Sequence, residues 1–128
     1  MGLLQFLKEN PADDTPKTYK LQLDGRLANE EPFEVTTLSK TQYKSLQGMA
    51  TKGNKLHTDK LATAVVVNCC TNPKFNDINL IKELKVATPE QAVEKLLTSG
   101  EISAIALQVV ELSGLNVSAD VIEEEVKN

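Results

Sequence analysis

The stretch TPEQAVEKLLTSGEISAIALQVVELSG, from Thr88 to Gly114, constrains the fold more than any other part of the chain. Thr88 is a natural N-cap, Pro89 fits the first helical position, where no amide hydrogen is needed, and Gln91 stands three residues after the cap, as a capping box requires. A helix therefore starts here. Ala92, Val93, Leu96 and Leu97 recur at the three-to-four spacing that gathers side chains on one helical face. Beyond Gly100 the pattern resumes with Ile102, Ile105, Ala106, Val109, Val110 and Leu112, and Gly114 suits a C-terminal cap because it accepts the left-handed conformation. The spacing predicts two amphipathic helices, hinged at Ser99, Gly100 and Glu101, as the centre of the core.

A chain of 128 residues is expected to form one domain over 1–128, able to bury about two thirds of its unfolded surface without disulfides. Trp is absent and aromatics make up 4%, so that core must be aliphatic. The longest apolar run, Leu61 to Val67, is broken by Thr63 and falls far short of the roughly 20 residues that span a bilayer. Met1 to Leu7 lacks the basic region and small-residue cleavage site of a secretory signal, and the Ser or Thr of a myristoylation signal is missing after Gly2. These features predict a cytosolic protein with no membrane partner. Residues 1–60 hold nine Lys/Arg against eight Asp/Glu, and residues 61–128 hold five against ten, so the parts carry +1 and −5 and sum to −4. An acidic C-terminal half repels phosphate backbones, which argues against nucleic acid.

Residues 1–17 read as a flexible lead, with a helical turn or two at 3–9 carrying Leu3, Leu4 and Leu7 on one side, then Asn10-Pro11 and an acidic, Pro-bounded linker. Tyr19, Leu21 and Leu23 alternate as in a half-buried strand, and so do Phe33, Val35 and Thr37. The two segments predict an antiparallel ribbon over 18–38, with a connection from Asp24 to Pro32 too long for a two-residue turn. Over 39–128 the expectation is helical. Ser39 caps a helix to about Ala50, Thr51 to Lys55 is a loop, and Lys60 to about Cys70 is read as a buried helix although Val65-Val66-Val67 favours a strand by propensity. Asp77 caps a short helix with Ile78, Ile81 and Leu84 on one face, and Ser118 starts a last helix through Val121, Ile122 and Val126. The predicted fold class is α+β, a mostly helical bundle with a small N-terminal two-stranded β ribbon.

Chemistry is sparse. Cys69-Cys70 are adjacent, a poor geometry for a disulfide, and with a single distant His57 they fall short of the four ligands of a structural zinc site. A Cys–His dyad lacks a third, orienting group. Thr51-Lys52-Gly53-Asn54-Lys55 lacks the second Gly and the Lys-Ser/Thr pair of a phosphate-binding loop. Glu94 and Glu101 flank the hinge, but few aromatics are available to line a sugar cleft. A helix-turn-helix reading fails because Glu101 to Ser113 contains no Lys or Arg. No catalytic residue, metal or cofactor is predicted.

The order of the apolar segments nevertheless resembles a known family. VVVNCCTNPKF, then NLIKELKVATPEQAVEKLL, then the TSGEI break and VVELSG, together with Phe6-Leu7, Phe33 and the Tyr43 helix, are similar to the XkdN-like phage tail assembly chaperones. The matching positions are Pro73 and Phe75, Leu80 to Leu84, Leu96 and Leu97, and Gly100, Glu101 and Ile102, while Cys69-Cys70, Asn72 and the Thr51 to Lys55 loop depart from the pattern. The resemblance implies a non-enzymatic protein of the host bacterial cytoplasm, from a phage or prophage. It would bind the tape measure protein, with the tail tube protein as a second candidate, keep its client soluble, and be absent from the mature virion. Expected partner-binding residues are Phe75, Leu80, Ile81, Leu84, Val121 and Ile122. Self-association is left open. The alternative is a small structural tail or baseplate component of the virion, and a third reading is an unrelated regulatory or enzymatic domain.

Overall fold

The computed structural model of the protein describes residues 2–115. In chain order these form α1 (Leu3–Glu9), β1 (Thr18–Leu21), a 3-10 turn at Gly25–Leu27, β2 (Phe33–Thr36), α2 (Lys40–Met49), β3 (Thr51–Lys52), β4 (Lys55–Leu56), α3 (Thr58–Cys69), β5 (Cys70–Asn72), α4 (Ile78–Leu84), α5 (Pro89–Leu96) and α6 (Ser99–Leu112). The expected last helix from Ser118, with Val121 and Ile122, lies outside the described residues.

Helix α3, not the α5–α6 pair, is the centre of the core. Leu61, Val65, Val66, Val67 and Cys69 are all buried on it. A helix apolar over so much of its circumference needs cover on several sides. It gets that cover from α6, α5 and α2, with α6 making the most extensive contact. The one buried polar side chain, Thr63, donates its hydroxyl to the carbonyl of Asp59 at 3.1 Å, so its burial leaves no group unpaired.

The expectation of a two-stranded N-terminal ribbon is corrected. The main sheet has three strands in the order β1-β2-β5, both pairings antiparallel, and a second sheet pairs β3 with β4. The third strand comes from mid-chain, directly after α3. Tyr19 faces Val35 and Leu21 faces Phe33 across β1 and β2, and Cys70 faces Val35 from the other edge after an irregularity at Glu34. With Phe33 and Val35 buried, β2 lies inside the sheet, where its outer backbone groups need a partner. Residues 70–72 supply it. Their three positions are too few for an alternation and run on from the apolar residues of α3, which hides the strand in the sequence. The predicted loop at Thr51 to Lys55 is likewise a tight hairpin, turned at Gly53-Asn54.

The break between the two apolar helices also moves. Helix α5 ends at Leu96, Leu97 is extended, and Thr98 is the N-cap of α6; its hydroxyl accepts from the Glu101 amide at 3.2 Å while the Glu101 carboxylate accepts from the Thr98 amide at 2.9 Å. This Thr-x-x-Glu capping box starts the helix one residue before Gly100. Ser99, Gly100 and Glu101 are therefore the first turn of α6, and a Cβ on Gly100 would have nothing nearer than the Thr98 hydroxyl at 4.0 Å. Gly100→Ala is expected to stabilise the protein by about 0.5–1 kcal/mol in chemical denaturation, because it reduces unfolded-chain entropy without strain. A flexing hinge would instead give a loss.

At the other end, Gly114 takes φ +72°, its amide donates to Glu111, and the Leu115 amide donates to Val110 at 3.2 Å. These two bonds form a Schellman cap, and they turn Leu115 back toward Val110.

Candidate functional site

The most apolar concavity among the described residues is a groove of about 520 Å³ bounded by α2, α3 and α6. Helix α3 contributes Thr58, Leu61, Ala62 and Val65, and α6 contributes Ser103, Ala106, Leu107 and Val110. Each set has the spacing i, i+3, i+4, i+7, so each helix presents one continuous stripe two turns long, roughly 10 Å. Tyr43 and Gln47 on α2 form a third side, and Leu115 joins through the α6 cap. None of these side chains is charged. Small residues, Ala62, Ser103 and Ala106, keep the walls low, while Leu107 on the rim is 51% exposed. Such a surface can receive the apolar face of a helix.

The start of α6, and so the placement of one wall, is held by a residue that sequence patterning did not single out. Arg26, in the 3-10 turn, donates from Nε and Nη2 to the two Glu101 carboxylate oxygens, both at 2.8 Å, and from Nη2 to the Leu96 carbonyl at 2.8 Å. One guanidinium thus ties the last turn of α5 to the first turn of α6. The only local signal was the Asp24-Gly25 turn, because the two partners are 75 residues apart. The Arg26 hydrogen bond, followed by the Thr98 amide, holds the Glu101 carboxyl below its usual range. A depressed pKa favours the ionised form in the fold, so this stabilisation is present above the unfolded carboxyl value of about 4.3 and is lost as pH falls through the folded value. Glu101→Gln is expected to lower Tm by roughly 3 °C at pH 7, small because Arg26 stays partly solvated, and the gap should close in thermal melts below about pH 4.

The expected partner-binding residues separate. Phe75 is 1% exposed and belongs to the core; among the largest side chains with essentially no solvent access, it cannot offer a surface. Leu80, Ile81 and Leu84 are half-buried on α4, which packs against α5 and lines no part of the groove. Ile78, at the start of α4, is 63% exposed. His57 precedes the first residue of α3 and Cys69 is its last, so the helix separates them by about 18 Å and a dyad cannot assemble. Burial pushes the Cys69 thiol up to about 12 and the Cys70 thiol up to about 11, which leaves both protonated and unreactive at neutral pH. Among the described residues, no group of three or more His, Cys, Asp or Glu could hold a metal ion, and no helix is long and apolar enough to cross a membrane.

The sequence matches the family described as phage XkdN-like tail assembly chaperone protein, TAC, over residues 3–127. The chain belongs to the XkdN-like tail assembly chaperones. The family's role is non-enzymatic, in accord with a site made of packing surfaces. Among solved structures, the crystal structure of the protein yqbn is similar at a TM-score of 0.62 and 17% identity, covering 91% of this chaperone and 98% of that chain. That likeness concerns the fold. No curated protein matches.

Proposed function

We propose that this tail assembly chaperone binds the phage tape measure protein in the host cytoplasm and keeps it soluble until tail-tube subunits assemble around it. The observation that carries the reading is the uncharged, two-turn groove between α2, α3 and α6. A long client rich in amphipathic helices would self-associate through its apolar faces, and an open groove of this kind covers such a face reversibly without any chemistry. The acidic balance of the chain, −4 overall, supports solubility of the complex. The groove, rather than α4, receives the client in this reading.

Co-expression with a tape measure protein tests it. The expected result is a soluble complex that co-purifies. A tape measure protein that stays equally insoluble with and without this chaperone overturns the reading.

A further inference from the structure

Helix α1 is the least covered part of the described chain. None of its residues is buried, and Leu3, Leu4, Phe6 and Leu7 are 51–75% exposed. At 100° per residue these four fall within one half of the helix circumference, with Gln5, Lys8 and Glu9 on the other half. A seven-residue helix is too short to hold itself together in water, so an apolar face of this kind implies cover by something else. The groove between α2, α3 and α6 has the matching form: it is uncharged, equally two turns long, and uncovered among the described residues.

The tether argues for which groove α1 enters. Its root lies beside the groove, since Lys17 is bonded to Thr37, the next residue Leu38 donates its amide to the Ser113 hydroxyl at 2.8 Å, and Ser113 is two residues from Leu115 in the groove lining. Between α1 and that root runs Asn10 to Lys17, with Pro11 and Pro16 near its ends and an Asp13 carboxylate accepting from the Thr15 amide. A Pro-bounded spacer of this kind extends at about 3 Å per residue and carries α1 some 20 Å outward. Returning to the adjacent groove would require a reversal of that spacer, whereas a neighbouring molecule's groove requires none.

We propose that α1 of one chain seats in the α2–α3–α6 groove of a second copy, with the exchange made reciprocally about a two-fold axis. Each helix covers on the order of 400 Å² of its own apolar surface. With the two groove walls, the total reaches roughly 1,600 Å², the size of a standard stable interface. The pairing rests on the reading of the groove as a helix-accepting site, and it makes α1 a competitor of the client: the chaperone stores its binding surface against itself and releases it when a client helix arrives.

Light scattering on the full chain without any client is the test. The expected mass is twice 14.0 kDa at tens of micromolar, falling to one chain for the Leu4→Asp/Phe6→Asp variant and for Leu107→Glu, with melting temperatures unchanged. Mixed Phe6→Cys and Leu107→Cys chains should form a disulfide-linked pair on mild oxidation. A monomeric wild-type chain, a dimer indifferent to the α1 substitutions, or a Phe6→Cys/Leu107→Cys double variant that closes within one chain overturns the proposal. A monomer that still keeps a tape measure protein soluble separates this failure from failure of the functional reading.

Discussion

Phe75→Ala is expected to destabilise the protein by about 3–5 kcal/mol, the range for truncating a fully buried aromatic side chain. Phe75 follows β5 on the connection to α4 and is 1% exposed within the main core cluster. Truncation removes the ring from a close-packed interior that collapses only partly around the space, so the loss combines transfer and cavity contributions. Urea denaturation should show a lower midpoint with an unchanged slope, the mark of altered stability rather than an altered unfolded state. Phe75→Leu retains most of the volume and should cost much less, on the order of 1.5 kcal/mol. The same experiment discriminates core from client contact. If Phe75→Ala leaves the midpoint in place and abolishes client binding, Phe75 is a binding residue after all.

Leu107→Glu should have the opposite profile. Leu107 is on the rim of the groove and 51% exposed, so replacing it removes little from the folded core, and its neighbours in the lining are uncharged. A carboxylate there loses its water when an apolar helix docks and finds no cation to pair with. Client affinity is expected to fall at least thirtyfold, about 2 kcal/mol, with Tm within a degree or two of wild type. Co-expression would then return the tape measure protein to the insoluble fraction. Retention of full binding by Leu107→Glu would move the client site away from this groove, and the half-buried face of α4 with the exposed Ile78 would be the next surface to alter.

The helices were legible because their signals are local. Ser39, Asp77 and Thr88 each cap the helix that follows through their own side chain, and Gly114 closes α6 with a left-handed residue. Each signal is contained within about one helical turn, so it is written contiguously in the chain. Even here a nearer signal outweighed a stronger-looking one. Gly100 suggested a break, but the Thr98–Glu101 box satisfies the first free amides of α6 and sets the helix start ahead of it. Gln91 shows the limit of such readings, since its side chain accepts from the Ala87 amide at 2.7 Å instead of the amide of the cap residue Thr88.

What the sequence by itself determined is the set of amphipathic helices, the pairing of β1 with β2, and the order of apolar segments that places the chain among the tail assembly chaperones. All of these depend on periodicity or on capping over a few residues. Only the tertiary structure decided that α3 is the central helix, that residues 70–72 complete a three-stranded sheet, that Arg26 clamps the α5–α6 junction, and that Phe75 is interior while the four apolar residues of α1 are not. These depend on pairs separated by tens of residues. An apolar side chain has the same local pattern whether it faces its own core or another molecule, because hydrophobic burial has no direction of its own. Which one it faces is set by what the rest of the chain places opposite it, and on this chain the folded body covers α3 completely and leaves α1 bare.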